Sequence, residues 1–162
     1  HTAYRRQRQM CIETGIYQFS YSAEGYLTGI VENIDNTEYS STSLTYENGD
    51  ITSISSKMNG LENKFIYEPG EESSTYHLPC LGLLEIHPLT FHIEALYAGL
   101  LGKDPRHFTI RSCPAGSNDE KTIYSYEFDK KGNPSRMICQ TTYAGGQASY
   151  YPYTRNISVS FE

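Results

Sequence analysis

The chain has 162 residues, 38% of them hydrophobic and 20% charged, which is enough apolar mass for one modest core and too much for a disordered chain. Its formal net charge of −6 excludes a typical nucleic-acid-binding domain, which needs a basic balance. The 15 Tyr and 6 Phe favour β-structure, and a helical bundle would need more Ala, Leu, Lys and Glu at helical spacing.

The first residues form a predicted basic arm. Arg5, Arg6 and Arg8 fall within the first ten residues, which contain no acidic residue. We expect residues 1–15 to be an exposed arm that leads into the first strand. No linker or low-complexity tract divides the remainder, so residues 16–162 are predicted to form a single antiparallel β domain.

A repeated hairpin pattern is the main organisational signal in the chain. Four segments place aromatic or aliphatic residues at alternate positions and follow them with a polar step and a glycine. Alternation puts one face of a strand against a core, and the glycine permits a tight turn. The predicted hairpins cover residues 17–30, 44–54, 65–70 and 124–138, and the second turns at Asn48-Gly49 and the third at Glu68-Pro69-Gly70. Successive hairpins predict a mainly β fold, a curved antiparallel meander or half-barrel.

The middle of the chain departs from this pattern. Apolar residues recur at helical spacing over 90–101, at Ile93, Leu96, Tyr97, Leu100 and Leu101. Gly102 suits the end of a helix, and Pro105 prevents its continuation. We therefore predict one short helix near 90–101, packed on the sheet.

The last segment returns to strands. Residues 141–143 and 148–153 flank Gly145-Gly146 and predict a further hairpin. Ile157, Val159 and Phe161 alternate in a terminal strand.

Four cysteines are spread along the chain: Cys11, Cys80, Cys113 and Cys139. None forms a C-x-x-C pair, so the spacing does not predict a zinc site or a thioredoxin-type motif. Either two disulfides of an exported protein or four buried thiols fit their spread, and the sequence does not choose among the three possible pairings.

Three stretches resemble a known family. Residues 44–51 (LTYENGDI) and 126–134 (YEFDKKGNP) are similar to the hairpins of exported Bacteroidetes lipoproteins described as a domain of unknown function with a porin-like fold. Residues 98–105 (AGLLGKDP) resemble the segment that joins that family's two runs of hairpins. The resemblance covers roughly residues 16–162. It implies a porin-like sheet, no assigned activity and an exported location, which is periplasmic, outer-membrane-anchored or at the cell surface. Any membrane association would then come only from an N-terminal anchor that has been removed.

One candidate site is a cluster of imidazoles and carboxylates: Glu85, His87, His92 and Glu94. Two imidazoles and two carboxylates are able to hold zinc or serve acid–base chemistry. A helix at this point opposes the arrangement, because His92 and Glu94 would then diverge by about 200°. Solvated or locally paired polar residues at a strand–helix junction are the simpler interpretation of the cluster.

A second candidate is the crowd of tyrosines in the last hairpin: Tyr143, Tyr150, Tyr151 and Tyr153. Tyrosine rings stack on sugars while their hydroxyls bond the rim, although cross-strand packing is the simpler interpretation. A third candidate is the concave face of the sheet, which would hold a lipid or another hydrophobic ligand if its side chains left it unfilled.

These features favour a non-enzymatic envelope protein that binds a glycan, a hydrophobic molecule or a protein partner. No cofactor, membrane-spanning segment or nucleic-acid partner is predicted. One alternative is a structural module whose open sheet edge pairs with another chain. Another is a metal-dependent enzyme that uses the His–Glu cluster.

Overall fold

Ten strands form one antiparallel sheet in the computed structural model, in which each strand pairs with the next along the chain. The structure describes residues 7–12, 15–73, 95, 98–117, 119–131, 134–142 and 153–158, with the backbone alone for 7–12, 73 and 153–158. The strands are β1 (Gln7–Ile12), β2 (Gly15–Tyr21), β3 (Leu27–Ile34), β4 (Thr37–Glu47), β5 (Asp50–Met58), β6 (Leu61–Ser73), β7 (His107–Pro114), β8 (Lys121–Phe128), β9 (Pro134–Thr142) and β10 (Tyr153–Ser158). In these residues β1 and β10 lie at opposite edges, so the sheet is open. The predicted antiparallel meander is confirmed.

Two-residue turns connect β3 through β6. Both residues of each turn have positive φ: Asp35 and Asn36 at 51° and 62°, Asn48 and Gly49 at 53° and 88°, Asn59 and Gly60 at 51° and 78°. Turns of this type match the twist of the flanking strands, and Asn-Gly adopts them at low cost. The turn at Asn48-Gly49 is confirmed. The turn at Asn59-Gly60 carries the same dipeptide signal and was not predicted.

The third predicted hairpin is wrong. β6 continues through Glu68-Pro69-Gly70 and pairs with β7, and the register shifts on both sides of Pro69. Proline has no N–H to donate to the ladder, and a Cβ on Gly70 would lie only 2.6 Å from Ile110 Cγ2. Pro69-Gly70 therefore marks an irregularity within a strand, not a turn. The first, second and fourth hairpins are confirmed as β2–β3, β4–β5 and β8–β9.

The helix predicted near 90–101 lies mostly outside the described residues. Ala95 is helical and residues 98–101 form turns. The Leu100 N–H donates to the Ala95 C=O at 2.9 Å, and Gly99 has φ 65°. This bond pattern closes a helix with its left-handed residue at Gly99, so the helix ends earlier than Gly102.

Both ends of the described chain pair with the sheet. Gln7–Ile12, which fell in the predicted arm, forms β1 and pairs with β2. At the other end Tyr153 lies opposite Thr141 in the β9–β10 pair. The predicted Gly145-Gly146 turn lies outside the described residues.

Alternating side chains of the strands fill the inner face of the sheet. Phe19, Leu27 and Ile54 have 1%, 0% and 0% of their surface exposed. They belong to a cluster that also takes in Leu100 and Leu101, from the segment between β6 and β7. A second cluster contains Tyr124, Met137 and Cys139. The described part of this face is thus packed with side chains. No helix in the described part of the chain is long and apolar enough to cross a bilayer.

A buried polar group interrupts this inner face. The Tyr17 hydroxyl donates to Glu32 Oε1 at 2.6 Å, and the Ser40 hydroxyl donates to Oε2 at 2.9 Å. Burial, together with the hydrogen bond to Glu32 and the negative charge of Glu32, raises the pKa of Tyr17 above its ordinary value of 10.0.

This raised pKa predicts a loss of stability in alkali. The unfolded chain releases the Tyr17 proton as pH rises through about 10, while the folded chain keeps it. The free energy of unfolding contributed by this group is therefore complete below about pH 10 and falls above it. Between about pH 9 and pH 11, the free energy of unfolding measured with urea should fall less for Tyr17→Phe than for the wild type. For Tyr39→Phe, which changes an exposed tyrosine, the free energy of unfolding should fall as much as it does for the wild type. An equal fall in all three proteins would contradict the raised pKa of Tyr17.

Candidate functional site

A surface cavity of about 580 Å³ lies at the end of the sheet where the β2–β3 loop meets the β4–β5 turn. This volume falls within the range of small-molecule sites. Its walls come from the β2–β3 loop, the start of β3, the end of β4, the β4–β5 turn, and the segment that precedes β7. The lining residues are Ser22, Glu24, Tyr26, Thr28, Leu44, Thr45, Tyr46, Asn48, Gly49 and Lys103.

Backbone hydrogen bonds hold the segment before β7 against the other two walls. The Lys103 N–H donates to the Gly25 C=O at 2.9 Å, and Gly102 forms an antiparallel bridge with Tyr26. The Arg106 N–H donates to the Gly49 C=O at 3.0 Å. Chain regions distant in sequence are therefore joined through main-chain atoms, which fixes the shape of the cavity.

A carboxylate fastens the same segment to the start of β5. Asp50 directly follows Gly49 and is 7% exposed. Its Oδ1 accepts from the His107 backbone N–H at 2.8 Å, and its Oδ2 lies 2.8 Å from the His107 Nδ1. Both oxygens of one buried carboxylate are thus used to position β7 beside the β4–β5 turn, which makes Asp50 and His107 positioning residues.

Two tyrosine rings form the apolar part of the cavity. The ring centroids of Tyr26 and Tyr46 lie 4.9 Å apart, with the planes tilted by 33°. Lys103 Nζ lies 4.8 Å from the centroid of the Tyr26 ring, a cation–π contact. Tyr26 is only 8% exposed, whereas Tyr46 is half-buried and lines the cavity. Tyr26 therefore supports the site, and Tyr46 and Lys103 supply its contacting surface.

Short polar side chains surround the two rings. Three hydroxyls, one amide and one carboxylate line the cavity: Ser22, Thr28, Thr45, Asn48 and Glu24. An apolar ring with hydrogen-bonding groups around it matches a ligand that has a flat apolar face and a polar rim. The arrangement is better suited to a sugar ring than to a wholly apolar molecule.

The candidate residues from the sequence do not include any side chain that the structure describes. Glu85, His87, His92 and Glu94 lie outside the described residues, as do Tyr143, Tyr150 and Tyr151. Tyr153 begins β10, where only the backbone is described. No group of three or more His, Cys, Asp or Glu side chains that could hold a metal occurs in the described part of the chain. These four metal and four tyrosine assignments stay predictions.

Two of the cysteines lie where their side chains are described. Cys139 is 1% exposed within the second core cluster, and Cys113 is a half-buried free thiol. Cys11 lies in β1, where only the backbone is described, and Cys80 lies outside the described residues.

Sequence reasoning missed the residues that line this cavity. The sequence pattern places Tyr46 only among the alternating residues of a hairpin, and Lys103 only within the stretch 98–105 that resembles the joining segment of the family. Tyr26 carried a weak signal, because it follows Gly25 and breaks the alternation of the preceding strand. Nothing in the local pattern connects the three, since their proximity depends on the packing of the segment before β7.

The fold and the cavity define an open antiparallel meander protein with a tyrosine-lined pocket at one end of the sheet. The chain belongs to the family described as Domain of unknown function (DUF4595) with porin-like fold, whose profile matches residues 3–136. The resemblance noted from the hairpin stretches is thereby confirmed.

A solved structure shares this fold. The crystal structure of a porin-like protein from Bacteroides uniformis ATCC 8492 is 25% identical in sequence, with a TM-score of 0.77. The match covers 91% of this chain and 60% of that protein, so the chain spans about three fifths of that protein's length. No curated protein sequence matches the chain.

Proposed function

We propose that the protein is a non-enzymatic carbohydrate-binding protein of the bacterial cell envelope. The observation that carries the proposal is the cavity in which the half-buried Tyr46 ring, supported by Tyr26, is surrounded by hydroxyl and amide groups. Sugars present the same combination of an apolar ring face and a hydroxyl rim. The porin-like relative from Bacteroides and the resemblance to exported lipoproteins support the envelope location.

The packing of the inner face favours a glycan over a hydrophobic ligand. Phe19, Leu27 and Ile54 are almost wholly buried there, so side chains fill the part of the face around them. Six of the ten residues that line the cavity at the end of the sheet carry hydroxyl, amide or charged groups, and these surround the two tyrosine rings. Hydrophobic-ligand sites are instead lined predominantly by apolar side chains.

The arrangement of Asp50 and His107 supports a binding role. An Asp–His pair becomes catalytic when the imidazole also activates a nucleophile. In the described residues no serine or threonine hydroxyl bonds to His107, and Asp50 uses one oxygen to hold the backbone. The pair therefore serves the shape of the cavity.

A glycan array followed by calorimetric titration of the best-bound oligosaccharide tests the proposal. Tyr46→Ala should weaken binding about tenfold, because loss of a stacked ring removes roughly 1.4 kcal/mol. Tyr39→Ala is the matched control, since Tyr39 is 41% exposed and lies outside the cavity. Its affinity should equal that of the wild type, and thermal unfolding of both variants confirms that they are folded.

Two results would overturn the proposal. One is an array without any signal above background, and the other is unchanged affinity in Tyr46→Ala. Oligomers that grow with protein concentration, together with a blank array, would favour the structural module that pairs through its open sheet edges.

A further inference from the structure

We infer that the pocket selects an anionic saccharide, one that carries a carboxylate or a sulfate, and that Lys103 binds the anionic group. The inference rests on the carbohydrate-binding function proposed above and names the class of sugar. The placement of Lys103 in the pocket carries it, with Arg106 packed against Gly49 nearby.

Lys103 lines the cavity and pairs with no carboxylate of the described residues. Its Nζ lies over the Tyr26 ring, 4.8 Å from the centroid, and the side chain is exposed. No ion pair of Lys103 occurs within the described residues. The cation–π contact and the backbone bond to Gly25 hold the residue in place while two or more N–H donors stay available to a ligand.

Arg106 adds a second cation beside the same wall. A Cβ placed on Gly49 would lie 2.9 Å from Arg106 Cγ and Cδ and 2.8 Å from the Tyr26 hydroxyl. The arginine stem therefore packs over the glycine that lines the cavity. Like Lys103, Arg106 has no ion pair within the part of the chain that the structure describes.

The charge at the pocket differs from the acidic balance of the whole chain. The chain has 19 Asp and Glu against 13 Lys and Arg, yet the residues that line the pocket include one cation, Lys103, and one carboxylate, Glu24, and a further cation, Arg106, packs against Gly49. Two other described arginines pair with carboxylates, Arg111 with Glu68 and Arg136 with Glu127. Cations left without a partner at a cavity attract an anionic ligand, and Glu24 remains an acceptor for sugar hydroxyls.

An array of matched saccharides tests the inference. It should hold uronic-acid oligosaccharides, their carboxyl-reduced neutral counterparts, and sulfated and unsulfated forms of one backbone. We expect signals on the acidic members at least about fivefold above those on their neutral counterparts, because a charge-assisted hydrogen bond is roughly twice as strong as a neutral one. The uronic-acid and sulfate arms distinguish the two sources of negative charge.

Variants then assign the selectivity to Lys103. Lys103→Met should weaken binding of the best acidic oligosaccharide about tenfold and binding of its neutral counterpart less than about twofold. Lys103→Arg should restore most of the affinity, and Lys57→Met removes an exposed lysine outside the cavity as the control. Equal binding of acidic and neutral members, or equal losses for both in Lys103→Met, would overturn the inference while leaving carbohydrate binding in place. A blank array would instead overturn the function on which it rests.

Discussion

Phe19→Ala is expected to lower the free energy of unfolding by about 3–5 kcal/mol. Phe19 is 1% exposed on β2 and packs in the cluster that joins the sheet to the segment before β7. Truncation of such a ring loses its transfer free energy and leaves a cavity that the rigid strands cannot close. Urea denaturation should show a lower midpoint with an unchanged slope.

A control separates burial from the chemistry of the residue. Phe128 is 39% exposed on β8 and contacts Phe108 edge-on, at a centroid distance of 5.9 Å. Phe128→Ala should cost no more than about 1.5 kcal/mol, the range of a single aromatic contact. Phe19→Leu keeps much of the volume and should cost about 1 kcal/mol, so it reports on the site if Phe19→Ala does not fold. Equal losses for Phe19→Ala and Phe128→Ala would refute the packing described for β2.

Gly102→Ala should lower the free energy of unfolding by about 3 kcal/mol, the second largest effect that we expect. Gly102 has φ 75°, which costs an L-residue with a Cβ about 1–2 kcal/mol. A Cβ there would also lie 2.8 Å from the Gly25 carbonyl oxygen and 2.9 Å from the Leu27 nitrogen. Both are backbone atoms and cannot rotate away, so the bridge between Gly102 and Tyr26 would have to open.

Gly60→Ala is the matched control for this second prediction. Gly60 has almost the same φ, 78°, but nothing lies within 4 Å of where its Cβ would be. Gly60→Ala should lower the free energy of unfolding only by the conformational cost of a positive φ, about 1 kcal/mol. The difference between the two thermal or urea midpoints measures the close approach at Gly102. Similar losses would show that the loop and the segment before β7 do not approach as closely as described.

The opening of that bridge also concerns the site, because Tyr26 supports Tyr46 and carries Lys103 over its ring. Gly102→Ala should therefore reduce the proposed saccharide binding as well as stability, whereas Gly60→Ala should leave that binding unchanged. The stability of the fold and the shape of the pocket are coupled at this one contact.

Local signals explain which parts of the fold were predictable. Alternating aromatics in β2 and β8 and the Asn48-Gly49 turn act through neighbours in sequence, and all three were interpreted correctly. Pro69-Gly70 looked like a turn for the same local reasons. There the long-range pairing of β6 with β7 overrode the local preference, and the two residues became an irregularity within a strand.

The sequence by itself determined the antiparallel meander, because side-chain alternation and positive-φ turn residues act over two to four neighbouring positions. Only the tertiary structure decided where the proposed binding pocket lies. Tyr26, Tyr46 and Lys103 belong to three separate chain segments, and none of them stands in a motif that carries chemistry. They meet because the Gly25–Lys103 and Gly49–Arg106 backbone bonds and the Asp50–His107 pair fasten one connection across the end of the sheet. Those contacts depend on the register of strands far apart in sequence, and no local pattern encodes that register.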